Sequence, residues 1–372
     1  MKIVFWWNIP CAGMINVLKA YVENIDSTAI VVTGALSKSR KLMGWDDKGK
    51  IFPTHIILSD DEWEQKGKKI INQYNTRLHV FNGITYPVRI KKMINYACAN
   101  DVKFCNMSEA YTNLSFGIAK IIKNIYIKYW LPISVCSIAK HSLGVICLSG
   151  KSEHNLQQFC NLGFNKNAIF SFGYYTDEDK NYQYVPASDG KVHILCPGLL
   201  EKYKGVDILI KAINIVCQMG EKNFVCHITG KGSQEKYLKF LSAQYGLNDG
   251  VVIFEGVLDS TKYKTLLSHI DILVAPGRVE PWGIRVNEAI QRGNVVIVSD
   301  KIGASELILE SKGGAVFHSG NEKELANLLY AFINGNKNIA VAKMHNIEFK
   351  SNISCSYQAI VLNNLLMRIA HI

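Results

Sequence analysis

The sequence lacks the residue spacings that hold most protein-bound metals. Its ten cysteines occur singly, without a Cys-x-x-Cys pair, and its ten histidines form neither a His-x-x-x-His nor a His-Glu-x-x-His pair. These absences argue against zinc ribbons, dithiol redox centres and histidine-based metal sites. A Gly-x-Ser-x-Gly elbow and a Gly-x4-Gly-Lys-Ser/Thr loop are also missing, which disfavours elbow-type hydrolases and P-loop ATPases.

Long apolar runs are missing as well. No run of about 18 uncharged apolar residues occurs, so a membrane-spanning helix is not expected. The 372 residues are 48% hydrophobic and 20% charged, which excludes a disordered or fibrous protein. A chain of this length predicts about two globular domains. Single cysteines within apolar runs fit a reducing, cytoplasmic compartment.

Acidic residues are the scarcer charged class. There are 31 Asp and Glu against 42 Lys and Arg, which gives a net charge of +11, and most of the excess lies in residues 1–186. Such a charge suggests an anionic partner: a membrane surface, a phosphorylated substrate or nucleic acid. Because no RRM, KH or basic helical motif is present, nucleic acid is not expected to be that partner.

Short β-branched or aromatic runs alternate with amphipathic stretches along the chain. This alternation predicts an α/β fold with two doubly wound, Rossmann-like domains that face a cleft. The polar, aromatic segment Gly173–Lys191 lacks periodicity and predicts a linker. The predicted organisation is an N-terminal domain (1–173), a linker (174–190), a C-terminal domain (191–352) and a C-terminal helix that packs back toward the first domain (353–372).

The sharpest candidate site lies in the loop after the predicted strand Ile272–Ala275. Ligands of open α/β sheets bind beyond the carboxyl ends of the strands. Gly283 at a helix start admits a phosphate to N–H groups at the positive end of the helix dipole. Glu280 can meet sugar hydroxyls, and Glu288 can accept two hydrogen bonds from a ribose diol. A loop acid followed by an ordinary helical glutamate is the alternative interpretation.

Two further loops of the second half carry candidates. Lys204 stands directly before a predicted helix, where a lysine suits a diphosphate, although an exposed lysine in a turn is the ordinary alternative. Gly198 in the same loop permits a tight turn. Gly230 belongs to a Thr-Gly-Lys-Gly fragment similar to part of a nucleotide-binding loop, but a packing role is commoner for such a glycine.

The first half contributes two candidates. Gly13 follows the first predicted strand and can admit a ligand to the first helix. Glu109 follows the predicted strand Lys103–Met107, and from that position it would point into the cleft. The alternative is that Ser108 caps a helix and that Glu109 complements its dipole.

Four segments of the second half follow one another in the order of a known family. Glu280 and Glu288 in EPWGIRVNEAIQRGNVVIVSD fit a Glu-x7-Glu region, and PGLLEKYKGVDILIKA resembles a Gly-Arg-Leu-x3-Lys-Gly segment. ITGKGSQEKYLKFLSAQYGLNDGVVIFEGVL resembles a Gly-x-Gly helix with Val-x-Phe-x-Gly, and GASELI resembles the turn after the penultimate strand. Together they resemble the retaining glycosyltransferases of the GT-B fold, specifically glycosyltransferase family 4. The first half resembles that family loosely.

The resemblance implies a role for each candidate. Glu280 would contact the transferred sugar and, with Glu109, makes up the predicted catalytic set. The other candidates would bind the nucleotide-sugar donor: Gly13, Gly198, Lys204, Gly230, Gly283, Ile284 and Glu288. Such enzymes need no metal or other cofactor, because basic side chains and helix dipoles neutralise the leaving diphosphate.

Two positions depart from the family pattern. Leu199 stands where the family has an arginine, so one expected phosphate cation is missing, and Lys202 or Arg285 can replace it. Many members carry a histidine near the transferred sugar, after the fourth strand of the first domain. The matching loop here carries Glu109, which can serve either the donor or an acceptor hydroxyl.

The function implied is transfer of a sugar, with retention, from a nucleotide sugar to a hydroxyl of a glycan or lipid-linked saccharide. Bacterial surface-polysaccharide biosynthesis in the cytoplasm is the expected setting. A sugar-nucleotide epimerase or an inverting transferase of the same fold is the alternative enzyme. A basic protein that binds anionic polymers is the alternative without catalysis.

The segment Lys120–His141 suggests an anionic membrane surface as a further partner. It mixes lysines with isoleucine, tyrosine and tryptophan, a combination that suits the lipid headgroup region. Peripheral attachment to the inner face of the cell membrane is therefore expected. The alternative is that Ile121, Ile122, Ile125 and Tyr129 form the core face of a domain helix.

Overall fold

The computed structural model describes residues 2–36, 50–111, 118–178 and 182–371. The chain divides into two compact units. The first consists of Met1–Asp177 with Ser354–Ile372, and the second of Glu178–Ile353. The division falls inside the segment 174–190 that the sequence predicts as a linker, of which residues 179–181 lie outside the description.

The first unit is built on a parallel sheet. Its strands are β1 Ile3–Trp7, β2 Ile30–Gly34, β3 His55–Leu58, β4 Leu78–Asn82, β5 Phe104–Ser108, β6 Val145–Cys147 and β7 Ile169–Ser171. Its helices within residues 1–177 are α1 Ala12–Asn24, α2 Glu62–Gln73, α3 Val88–Ala99, α4 Ile118–Ile125, α5 Leu131–His141 and α6 Glu153–Asn161, and a π-helix, Tyr126–Trp130, joins α4 to α5. Over the described ranges the strand order is β3-β2-β1-β4-β5-β6-β7.

The second unit repeats this design. Its strands are β8 Val192–Cys196, β9 Phe224–Thr229, β10 Val252–Gly256, β11 Ile272–Ala275, β12 Val295–Ser299 and β13 Gly314–Phe317. Its helices are α7 Val206–Gln218, α8 Glu235–Gln244, α9 Ser260–Ser268, α10 Ile284–Gln291, α11 Ser305–Ser311, α12 Glu322–Ile333 and α13 Ile339–Phe349. The described strands pair in the order β10-β9-β8-β11-β12-β13.

The apolar composition of the strands accounts for their burial in both sheets. Every residue of β1, β2 and β12 is buried, as expected for parallel strands covered by helices on both faces. The two doubly wound α/β units predicted from the sequence are therefore confirmed. The strand β7 has only three residues, Ile-Phe-Ser, which are too few to stand out as a strand in the sequence.

Each sheet has a topological switch point, where the strand order reverses. It lies between β1 and β4 in the first unit and between β8 and β11 in the second. In β8 and β11, Ile194 pairs with Ile272 and Leu195 with Leu273, so the two strands end side by side. Open α/β sheets bind ligands at this position, which puts the loops after β8 and β11 at the expected site.

The last helix, α14 Cys355–Ala370, belongs to the first unit although it follows the second in the chain. It packs along α1, where the Tyr21 hydroxyl donates to Oδ1 of Asn363 at 2.9 Å. Leu362, Leu366 and Ile369 are buried on its inner face. The helix therefore completes the hydrophobic core of the first unit.

The predicted linker is held at both ends. Tyr175 donates its backbone N–H to the carbonyl of Gly13 in the first unit, at 2.7 Å. In the second unit, Tyr184 donates its hydroxyl to Oδ1 of Asp271 at 2.6 Å, and Lys343 donates to the same oxygen at 2.7 Å. The described parts of the segment thus belong to the units that they adjoin.

Candidate active site

A cavity of about 230 Å³ lies beyond the carboxyl ends of β8 and β11 in the second unit. Its walls come from two loops, residues 196–206 and 273–286, and from Ile302. The structure brings five sequence-predicted residues together along these walls: Gly198, Lys204, Glu280, Gly283 and Ile284. They lie at the switch point of the sheet, which is where the strand order leads us to expect a ligand.

Glu280 and Lys204 form an ion pair at the cavity. The distance from Lys204 Nζ to Glu280 Oε1 is 2.8 Å, and both side chains are about three-quarters buried, with 22% and 27% exposed. The two residues are 76 positions apart in the sequence. A carboxylate that can accept from sugar hydroxyls therefore stands directly beside a cation suited to phosphate.

The backbone around Glu280 is fixed by a neighbouring loop. Glu280 donates its N–H to the carbonyl of Lys301 at 3.0 Å, and it accepts from the N–H of Gly303 at 3.2 Å. Two residues further on, Trp282 is buried and its indole N–H donates to Oδ1 of Asn287 at 2.9 Å. These contacts hold the carboxylate on a rigid loop rather than on a mobile surface turn.

Gly283 begins the helix α10 in a left-handed conformation, with φ of +94°. A Cβ atom at this position would come within 2.5 Å of Cγ2 of Ile302. The absence of a side chain is therefore required both by the backbone and by the close packing. The N–H groups of Ile284 and Arg285 lie at the positive end of the helix dipole, where the sequence predicts that an anion binds.

Arg285 is the better placed of the two candidates to replace the arginine missing at Leu199. It lines the cavity, as does Leu199 itself, which is half exposed. Lys202 is not among the described lining residues. Arg285 Nη1 also donates to Oε2 of Glu288 at 2.6 Å. Within the described ranges Glu288 does not line the cavity itself. It contacts the cavity through its hydrogen bond with the lining residue Arg285.

Sequence reasoning missed an arginine clamp beside the cavity. Arg278 binds both oxygens of Asp207 at 2.7 Å and donates to the carbonyl of Lys202 at 2.9 Å. Its own N–H donates to the carbonyl of Tyr203 at 2.7 Å. The clamp fixes the turn that carries Lys204. No local signal reveals it, because Arg278 and Asp207 are 71 residues apart.

Gly230 has a structural role in this geometry. A Cβ atom on Gly230 would lie 1.9 Å from the carbonyl oxygen of Gly198, and its φ is +102°. The glycine thus allows the loops after β8 and β9 to approach each other. It does not line the described cavity. A direct nucleotide contact by Gly230 remains a prediction.

The first unit gathers its two candidates at the end of its own sheet. Glu109 accepts a hydrogen bond from the Tyr174 hydroxyl at 2.9 Å. Burial and the Glu109 charge raise the pKa of Tyr174 well above its usual value, so the phenol stays a donor. Burial raises the pKa of the Cys11 thiol to about 11, with a smaller contribution from Glu109. Cys11 directly precedes α1, which contains Gly13, so Glu109 lies near the start of that helix.

Part of the chain is similar to a known protein family. The family described as glycosyl transferases group 1 matches residues 177–347. An uncharacterized glycosyltransferase of Methanocaldococcus jannaschii, MJ1607, is 31% identical over 142 residues, which are 38% of this chain and 36% of that protein. The glycosyltransferase YqgM of Bacillus subtilis, also uncharacterized, is 27% identical over 40% of this chain and 41% of its own length. The matches thus span about two fifths of these relatives.

Solved structures match along almost the whole chain. The lipopolysaccharide outer core galactosyltransferase WaaB superposes with a TM-score of 0.69 at 14% identity and covers 99% of both chains. Anabaena Alr3699/HepE in complex with UDP gives a TM-score of 0.70 at 16% identity, over 99% of this chain and 100% of that one. Residues 177–347 therefore match the model of the glycosyl transferases group 1 family, and the chain is similar in fold to these two solved structures.

Proposed function

We propose that the protein is a retaining glycosyltransferase that takes its sugar from a nucleotide sugar. The observation that carries the proposal is the Glu280–Lys204 pair in the cavity, next to the open start of α10. A carboxylate, a cation and exposed N–H groups are the three features needed to hold a sugar diphosphate: one for the sugar hydroxyls and two for the phosphates.

The proposed reaction needs no separate protein base. The bond from the anomeric carbon to the donor phosphate breaks, and the acceptor oxygen forms its bond on the same face of the sugar. The acceptor proton passes to the departing phosphate oxygen. Lys204, Arg285 and the N–H groups from Gly283 onward neutralise the charge that develops on the diphosphate, and because they are already in place they require little reorganisation.

The comparisons favour a uridine nucleotide and a polysaccharide pathway as first choices. HepE has been solved with UDP and with UDP-glucose, and WaaB is a lipopolysaccharide galactosyltransferase. We therefore propose a glycan or lipid-linked acceptor in surface-polysaccharide biosynthesis, met at the inner face of the cell membrane. Glu109, held by Tyr174, is the proposed contact for the acceptor hydroxyl.

A panel of nucleotide sugars tests the proposal. We expect UDP and at least one UDP-sugar to raise the melting temperature in proportion to the logarithm of their concentration, because they bind the folded state. With an acceptor, the product should keep the anomeric configuration of the donor when analysed by NMR. An inverted product would refute retention, and a donor that is epimerised without an acceptor would favour the epimerase.

Glu288→Ala is expected to weaken UDP binding by roughly tenfold to 150-fold, because a ribose diol loses hydrogen bonds to a charged group worth about 1.5–3 kcal/mol. Titration calorimetry with UDP measures the loss. Inorganic pyrophosphate separates the ribose contact from an indirect effect through Arg285: its affinity should change little if Glu288 binds ribose.

The matched control for Glu288→Ala is Glu235→Ala. Glu235 also accepts from a basic side chain on its own helix, Lys239, at 2.7 Å, but it lies outside the cavity. UDP affinity should be unchanged in this variant. Equal affinity in wild-type and Glu288→Ala protein would remove Glu288 from the donor site.

A further inference from the structure

The segment from α4 to the start of α5 exposes an unusual amount of apolar surface. Eight large apolar side chains are between 48% and 77% exposed: Ile118, Ile121, Ile122, Ile125, Tyr126, Tyr129, Trp130 and Ile133. Scattered apolar residues on a surface are ordinary, but a contiguous patch of this kind marks a site of interaction. We call these eight residues the apolar face.

The apolar face has helical periodicity. Ile118, Ile121, Ile122 and Ile125 recur at the spacing that puts side chains on one side of a helix. In a globular core this side would point inward, which was the alternative interpretation of the sequence. The exposure of Ile121, Ile122, Ile125 and Tyr129 shows that alternative to be wrong.

The buried side chains of this segment lie further along the chain, mainly in α5. Leu131, Val135 and Ile138 of α5 are buried in the core of the first unit, and Ile127 packs against that core. By contrast, the described side chains of α4 are exposed all round. A helix of eight residues is not stable alone in water. Its apolar side therefore needs a surface from outside the described chain.

Charge indicates which surface that is. Residues 118–141 contain no Asp or Glu but contain Lys120, Lys123, Lys128 and Lys140. The side chains of Lys123 and Lys128 are exposed, whereas that of Lys120 lies outside the description. A second copy of the chain would bring like charges together across the patch. Anionic headgroups neutralise them, and tyrosine and tryptophan suit the same interfacial zone.

We propose that the apolar face is the docking surface for an anionic lipid bilayer. The helix α4 and the π-helix lie in the interface, with isoleucines at the acyl boundary and lysines at the headgroups. None of the described helices is long and apolar enough to cross a membrane. This inference extends the part of the proposed function that puts the acceptor at a membrane.

Co-sedimentation of the full-length protein with vesicles tests the docking surface without any sugar, so it can fail independently of transfer activity. Wild-type protein should pellet with phosphatidylcholine vesicles that contain 30% phosphatidylglycerol at low salt, and should remain in solution with phosphatidylcholine alone. The double variant Ile121→Ser/Ile125→Ser should lose binding. Lys123→Glu/Lys128→Glu should lower partitioning at least tenfold, since each lysine contributes about fivefold.

The control is Phe240→Ser/Val257→Ser. These side chains are 65% and 67% exposed in the second unit, so the variant removes comparable apolar surface elsewhere and should bind vesicles like the wild type. Equal pelleting of the Ile121/Ile125 variant would overturn the proposal, as would equal binding to neutral vesicles. A dimer that this variant converts to a monomer, without vesicle binding by the wild type, would assign the face to a second copy instead.

Discussion

Lys204→Ala is expected to lower kcat by about 100-fold to 1,000-fold, the range found when one preorganised donor to a developing negative charge is removed. Lys204 stands 2.8 Å from Glu280 in the cavity and, in the proposed reaction, meets charge that grows on the leaving diphosphate. Because the contact strengthens in the transition state, kcat and kcat/KM should fall together while KM changes little. Steady-state kinetics with the UDP-sugar identified by the panel measure both.

Two further variants distinguish a loss of catalysis from a loss of folded structure. Lys239→Ala removes an ion pair of similar length, 2.7 Å, on the exposed side of α8, and should leave kcat unchanged. Lys204→Arg keeps the charge and should recover part of the rate. Loss of the partly buried pair costs roughly 1 kcal/mol, or about 2–4 °C in melting temperature for a domain of this size. A kcat within twofold of wild type would leave Lys204 without a catalytic role.

Gly283→Ala is expected to lower both stability and nucleotide binding. Alanine in the left-handed region at φ of +94° costs about 1–3 kcal/mol, and its Cβ would also approach Cγ2 of Ile302 to 2.5 Å. A decrease in melting temperature of roughly 2–12 °C follows, which calorimetry measures. UDP affinity should fall more than tenfold, because the first turn of α10 must move away from its anion-binding position.

Gly220→Ala distinguishes backbone strain from the clash. Gly220 has a φ of +92°, close to that of Gly283, but a Cβ there would meet no atom within 4 Å. It should therefore show the backbone penalty alone and keep its affinity for UDP. If both variants lost the same stability and the same affinity, the packing of Gly283 on Ile302 would be irrelevant to the site. The double variant Gly283→Ala/Ile302→Ala should recover part of the loss.

The parts of the site that could be predicted from sequence are those that follow strands directly. Glu280, Gly283 and Lys204 come just after apolar runs, and the topology of parallel sheets then brings the ends of neighbouring strands together. The role of Arg278 could not be predicted this way, because it depends on an ion pair with Asp207, and the two residues come together only in the folded chain. Gly230 lies in a nucleotide-loop pattern and allows the loops after β8 and β9 to approach each other, whereas its contact with a nucleotide stays a prediction.

Periodicity also has a limit that the apolar face illustrates. The spacing of Ile118, Ile121, Ile122 and Ile125 identifies one side of a helix, but it carries no information on which way that side points. The direction depends on how the neighbouring α5 packs, through Leu131 and Val135, on the rest of the first unit. A helix face that packs in the core and one that forms an exposed patch therefore have the same sequence pattern, and only the folded structure distinguishes them.

The return of α14 to the first unit has a consequence for the order of events on the ribosome. The second unit is one continuous stretch, Glu178–Ile353, whereas the first requires Ser354–Ile372 to cover α1. At about 5–20 residues per second, the stretch between the two parts of the first unit takes roughly 10–35 s to synthesise. During that time Tyr21 lacks Asn363, and the α1 surface is uncovered. The unit whose synthesis begins first is therefore completed last.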